Sequence, residues 1–195
     1  MKTAKSAWTR PIAPEEARGD LARIYEQIRA SASRGVVSTL WQSLGHDPRG
    51  LEALHALYRT LMDDPAPLTR AQAELIAVVV SATNGCGYCV AHHGPKLAAA
   101  LGDPALAHAV ARDYREANLK AADRVLLDCA VALTCEPCER KLEDIERMRE
   151  YGFDDAAIAK ATGIAAYYNL TNRIACALGV PLEAGLERWE YGAQR

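Results

Sequence analysis

Residues 74–93 read ELIAVVVSATNGCGYCVAHH, from Glu74 to His93. Leu75 to Val80 is the longest unbroken apolar run in the chain. It is far too short to span a bilayer, and it lies within a predicted helix that runs to about Thr83. Thr69 stands ahead of this segment as an N-cap, with Gln72 at the reciprocal capping-box position. Asn84-Gly85 closes the helix as a turn, and a second helix opens close to Cys86. The stretch is therefore a helix–turn–helix, and it sets the expectation for the rest of the chain.

Outward from it the period stays helical. The sequence holds 37 alanines and no alternating run long enough for a strand, so an all-α, single-domain helical bundle is expected. Pro14 opens a predicted helix to about Ala30, with Leu21, Ile24, Tyr25 and Ile28 on one face. Gly35 begins a second segment, and Asp47-Pro48 starts a third. The sequence Gly102-Asp103-Pro104 stops one helix and starts the next. Further helices are expected from about Lys120 to Leu133, around Leu142 to Met148, and from an Asp154 cap to about Leu178. The expected domain covers residues 1–195, with its core at about 14–180 and a weakly patterned tail at 182–195 anchored by Trp189 and Tyr191.

Composition narrows the function classes. The net charge is −2 and half of the 195 residues are apolar, which argues against nucleic acid and anionic membrane as partners. Met1 to Arg10 lacks the apolar core of a signal peptide, so a cytoplasmic protein with reduced thiols is expected. Six cysteines in such a chain point to chemistry or metal more than to structural bridges.

With about 100° per residue, Cys89 falls near 300° and His93 near 340° from Cys86, whereas His92 falls near 240°. His93, not His92, is the histidine placed to serve both thiols. Cysteines three apart on a helix lie near disulfide reach. The first turn of a helix favours thiolate, which by itself makes Cys86 the more acidic and more exposed of the two. Glu74, on an apolar surface, needs a partner, and either His93 or Arg70 fits. Spacing alone leaves three readings open: a redox dithiol, a zinc-binding pair and two packed core thiols.

Glu74, eleven intervening residues, Cys86-x-x-Cys89, three more and His93 resemble the alkyl hydroperoxidase D (AhpD) branch of the carboxymuconolactone decarboxylase family. Gly87-Tyr88-Cys89-Val90, His92-His93 and residues 168–173 (Tyr-Asn-Leu-Thr-Asn-Arg) resemble its peroxidase-related subgroup, over about Pro14 to Val180. The resemblance implies an AhpD-like helical bundle, a homo-oligomer (dimer, trimer or hexamer) and a thiol-dependent peroxidase. It implies that Cys89 is the peroxidatic thiol, Cys86 the resolving one, and Glu74 and His93 a proton relay. An organic hydroperoxide is then the substrate and an external dithiol the reductant, with no cofactor and no metal. Founding members carry a histidine where this chain has Tyr88. A redox sensor or dithiol oxidoreductase without peroxidase turnover is the alternative, as is a lyase of the decarboxylase branch, which lacks the paired cysteines.

Tyr88, His92, Asn169 and Arg173 are further candidate pocket residues, the last two one turn apart. Cys135-Glu136-Pro137-Cys138 forms a second Cys-x-x-Cys at a helix break, too far along the chain for common zinc-ribbon spacing. Cys129 and Cys176 fall on apolar helix faces and read as inert core residues. His46, His55 and His108 read as surface or packing residues.

Overall fold

The computed structural model describes residues 7–32 and 34–194, so residues 1–6 of the polar N-terminal stretch lie outside the described residues. Among the described residues the chain is helical without a strand: α1 (Gly19–Ser31), α2 (Thr39–Ser43), α3 (Pro48–Met62), α4 (Arg70–Thr83), α5 (Gly87–Leu101), α6 (Pro104–Asp113), α7 (Ala121–Cys135), α8 (Leu142–Glu150) and α9 (Asp155–Ala177). None of these helices is long and apolar enough to cross a membrane.

The predicted boundaries rest on caps that form. Thr69 accepts from Gln72 N–H while the Gln72 side chain accepts from Thr69 N–H. Asp47, Asp103 and Asp154 each accept from the backbone N–H three residues on, which satisfies donors with no partner inside the helix. The first helix departs from expectation. Pro14 lies in a separate turn, closed by Ala17 N–H to the Ala13 carbonyl and braced by Glu16 against Arg10. Arg18 is then extended (φ −136°, ψ 157°), so α1 starts only at Gly19.

Helix α4 is the centre of the bundle. Every residue from Ala73 to Thr83 is buried, because the run has no polar face to turn outward. Helices α5, α6, α7 and α9 pack around it. Helices α1 and α3, with Val37 ahead of α2, make a second, smaller core from Leu21, Ile24, Tyr25, Ile28, Val37 and Leu51, and Trp41 of α2 packs against it. A third apolar cluster joins Cys86 and Cys89 to Leu40, Ala175 and Val180.

The tail after α9 straps α5. Trp189 is buried, stacks on His108 with ring centroids 3.9 Å apart, and lies over Gly94. A Cβ at Gly94 would meet the indole at 2.5 Å, so glycine is required by this approach. Tyr191 donates to the Gly85 carbonyl, and Gln194 binds Val110, Ala111 and Tyr114 backbone groups. Both predicted anchors therefore dock, although Tyr191 stays partly exposed.

Candidate functional site

The turn from α4 to α5 places the first cysteine. Gly85 adopts φ +70°, and Cys86 N–H reaches back to the Ser81 carbonyl at 2.9 Å. Asn84 Nδ2 donates to the side-chain oxygens of Asn169 and Asn172, both at 3.0 Å, and Asn172 Nδ2 donates to Ser81 Oγ. A bracket from α9 thus fixes the turn. Cys86 becomes the N-cap of α5, and Cys89 lies in its first turn. Their sulfurs are 3.0 Å apart and share a hydrogen bond, with both thiols free.

The two thiols are not equivalent. The Cys89 S–H beside it, with smaller help from Cys176 and Asn172, pulls Cys86 down to about 7 against the upward push of burial. Cys89 is pushed well above the usual thiol range, first by that same hydrogen bond and then by burial. Cys86 is therefore the more acidic thiol, but the hydrogen bond from Cys89, not the helix end, brings this about. Its expected exposure is not found: Cys86 is 1% exposed and Cys89 4%. A cavity of about 730 Å³ meets the pair from one side, and Cys89, not Cys86, lines it.

Glu74 from α4 and His93 from α5 come together as the spacing predicts. His93 Nδ1–H donates to Glu74 Oε2 at 2.7 Å. The other Glu74 oxygen meets Arg70 at 2.8 Å, so both expected partners are present at once. Glu74 is fully buried. Burial pushes its carboxyl up, but His93, Lys96 and Arg70 outweigh it and hold it below the ordinary range. His93 is pulled down to about 4, first by burial and then by Lys96, despite Glu74. A neutral imidazole facing an ionised carboxylate results, with its second nitrogen available as an acceptor.

That nitrogen is met by a residue the spacing did not reveal. Tyr168 on α9 donates to His93 Nε2 at 3.0 Å and sits edge-on to the ring. Tyr168 is fully buried beside the cavity, and burial pushes its hydroxyl well up, so it is a neutral donor. Tyr168 and His93 line the same cavity as Cys89, and Glu74 is buried behind His93. The signal was in residues 168–173, but nothing in them ties Tyr168 to His93 without the helix crossing.

Tyr88 and His92 both line the cavity, yet neither serves the thiols. Glu183 from the tail holds them: its Oε1 accepts from Tyr88 Oη–H at 2.9 Å and from Thr39 N–H at 2.7 Å, and its Oε2 meets His92 Nε2 at 2.8 Å. Burial pushes Glu183 up, but the His92 hydrogen bond and charge bring it down to about 2. Glu183 was missed because a lone acidic residue in an unpatterned tail carries no periodic signal.

Asn169 and Arg173 stand elsewhere. Arg173 donates to the Asn169 carbonyl and side chain on the far side of the α4–α5 turn, away from the cavity. They brace the turn rather than line a pocket, since Asn169 faces Asn84 and Thr134. Cys176 is an exposed residue, not a core one, because it follows the buried Ala175 at the end of α9. Cys129 is half-buried against the core, with its sulfur near the Asp144 carbonyl. Cys135 and Cys138 are exposed around a 3₁₀ turn at Pro137–Glu139. His55 is buried on the cavity wall, stacked on Tyr58 and bonded to Ser31. Among the described residues no three His, Cys, Asp or Glu side chains are arranged to hold a metal ion.

Stability follows the histidine. Unfolded His93 titrates near 6.5, so the unfolded chain takes up a proton that the folded site resists. Folding stability is expected to be full above about pH 6.5 and to fall as pH drops towards 4. Thermal melts from pH 7.5 to 4.5 check this: His93→Gln flattens the decline relative to wild type.

The model of the carboxymuconolactone decarboxylase family matches residues 48–124. An uncharacterized peroxidase-related protein from Silicibacter sp. TM1040 is 31% identical over all of this chain and 98% of that one, with a TM-score of 0.84. A second peroxidase-related protein, from Ralstonia eutropha JMP134 and described as an alkylhydroperoxidase AhpD core, is 28% identical over 92% of this chain and 94% of its own, also at 0.84. The debrominase Bmp8 in complex with 2,3,4-tribromopyrrole shares the fold at 18% identity, covering 93% and 94% of the two chains, with a TM-score of 0.78. No curated protein sequence matches the chain significantly.

Proposed function

Because the chain belongs to the carboxymuconolactone decarboxylase family, in its AhpD-like branch, we propose that it is a thiol-dependent oxidoreductase that reduces organic hydroperoxides through Cys86 and Cys89. One observation carries the reading: two thiols 3.0 Å apart sit at the wall of a cavity that only the second of them lines, beside a buried tyrosine–histidine–carboxylate chain.

Cys89 is the peroxidatic thiol because it faces the substrate space. Its sulfur attacks one peroxide oxygen and the O–O bond breaks, giving a sulfenic acid and an alcohol. The thiol proton passes across Tyr168 to Nε2 of neutral His93, whose charge Glu74 stabilises, and returns to the departing alkoxide. Cys86, the more acidic thiol, then attacks the Cys89 sulfur. Water leaves and a Cys86–Cys89 disulfide forms. An external dithiol returns the pair to the reduced state with two electrons. Tyr88 and His92, held by Glu183, shape the cavity and stand outside this relay.

The test is peptide mass mapping of the reduced protein after one equivalent of cumene hydroperoxide. A fast Cys86–Cys89 disulfide is expected in wild type. In Cys86→Ser, a dimedone adduct is expected on Cys89. Both thiols still reduced after the hydroperoxide is added would overturn the reading, and an adduct on Cys86 in Cys89→Ser formed at the wild-type rate would reverse the assignment.

A further inference from the structure

The oxidised pair presents a problem of access. Cys86 is 1% exposed and Cys89 4%, and Cys89 faces the substrate cavity. A protein-sized reductant has no direct approach to either sulfur. Thiol–disulfide exchange needs the attacking sulfur in line with the bond it breaks, so burial of both sulfurs slows it.

A third thiol lies on the other side. Asn172 on α9 is bonded to Asn84 and Ser81 of the turn that carries Cys86. Cys176 is four residues on, one turn along the same face of α9. Ala175 packs in the same apolar cluster as Cys86 and Cys89, and Val180 N–H returns to the Ala175 carbonyl, folding the chain end over the pair. Cys176 thereby follows the buried Ala175 on the Cys86 side of the pair while remaining an exposed residue, and each of the two thiols shifts the acidity of the other. Cys176, unlike Cys89, does not line the cavity.

We propose that Cys176 is the exit thiol of the cycle, the residue through which the buried Cys86–Cys89 disulfide is reduced from the protein surface. The inference rests on the dithiol cycle proposed above. The Cys176 thiolate attacks Cys86 Sγ, a Cys176–Cys86 bond forms, and the Cys86–Cys89 bond breaks with Cys89 leaving as the thiolate. An external dithiol then attacks Cys176 Sγ and releases Cys86 as a thiolate. The second thiol of the reductant displaces Cys176, leaving the reductant oxidised and all three cysteines reduced. Cys176 does not compete for peroxide because it stands outside the cavity that admits it, and in the resting protein burial first, and then the neighbouring Cys86 sulfur, hold its thiol up at about 11. Conversion of Cys86 to a disulfide removes the second of these causes and leaves burial. Substrate and reductant thus use opposite sides of one thiol pair.

The experiment starts from the disulfide set with diamide, so that it is read independently of peroxide chemistry. The oxidised full chain is reduced with a thioredoxin-class dithiol, and release of the Cys86–Cys89 bond is followed by quenched mass mapping. Cys176→Ser is expected to slow this reduction about tenfold or more, while the first equivalent of cumene hydroperoxide is consumed at the wild-type rate. With glutathione as the probe, the mixed disulfide is expected on Cys176 in wild type. Reduction of Cys176→Ser at the wild-type rate, a mixed disulfide on Cys86 or Cys89 instead, or failure of diamide to join Cys86 to Cys89 would each overturn the proposal. A chain that forms and exchanges the disulfide through Cys176 yet consumes no hydroperoxide would overturn the peroxidase reading and leave the exit thiol standing.

Discussion

Cys89→Ser is expected to lower steady-state consumption of cumene hydroperoxide by about 10³-fold or more, as loss of a nucleophile does where no other group can replace it. A serine hydroxyl in the same place is not ionised at neutral pH and forms no sulfenic acid. Cys86 cannot take over readily, although it is the more acidic thiol, because it stands behind Cys89 and outside the cavity. Cys86→Ser is expected to differ in kind: one equivalent of hydroperoxide is reduced and turnover then stops, because the Cys89 sulfenic acid has no partner 3.0 Å away. A coupled assay with a dithiol reductant checks the first variant and a stopped-flow burst the second. Full turnover in Cys89→Ser would refute the assignment.

Glu74→Ala is the second large effect, and it strikes stability and chemistry together. The carboxylate is fully buried and holds His93 Nδ1–H at 2.7 Å and Arg70 at 2.8 Å. Its removal leaves a buried donor without a partner and a small void, although half-exposed Arg70 turns to water. Breaking a wholly buried pair costs about 3–5 kcal/mol, and the exposed arginine brings the expected loss to about 3 kcal/mol. For a chain of this size that is roughly a 6–12 °C fall in Tm. Glu74→Gln separates the two roles. Its amide oxygen still accepts from His93, so the fall in Tm is expected to stay within about 5 °C. Without the negative charge His93 loses the stabilisation of its protonated form, and kcat is expected to fall about 10²-fold. Equal kcat in wild type and Glu74→Gln would remove Glu74 from the proton relay and leave it a purely structural ion pair.

Much of this arrangement was legible one helix at a time. Thr69–Gln72, Asp47, Asp103 and Asp154 announce their helix starts because capping is a contact between residues three apart. The apolar run Leu75 to Val80 announces a helix, but that α4 is central and buried on every side is a product of the helices packed around it. The miss at Pro14 has the same origin: proline suits a first turn, but the extended Arg18 that separates that turn from α1 reflects packing, not local preference. His93 was separable from His92 because an angle on one helix decides which imidazole faces which side, and the observed partners, Glu74 for one and Glu183 for the other, keep them apart.

The sequence by itself determined most of the helices, their Asp and Thr caps, and the pairings of Glu74 with His93 and of Cys86 with Cys89, since one short turn joins the two helices that carry them. Tertiary structure alone decided which sulfur faces the cavity, that Tyr168 completes the His93 contact, that Glu183 claims Tyr88 and His92, that Asn169 and Arg173 brace a turn, and that Cys176 is exposed rather than part of the core. The physical reason is range. Periodicity orders residues within a helix and across a tight turn, but the meeting of α5 with α9 and with the tail depends on how whole faces pack, and no local rule encodes that crossing.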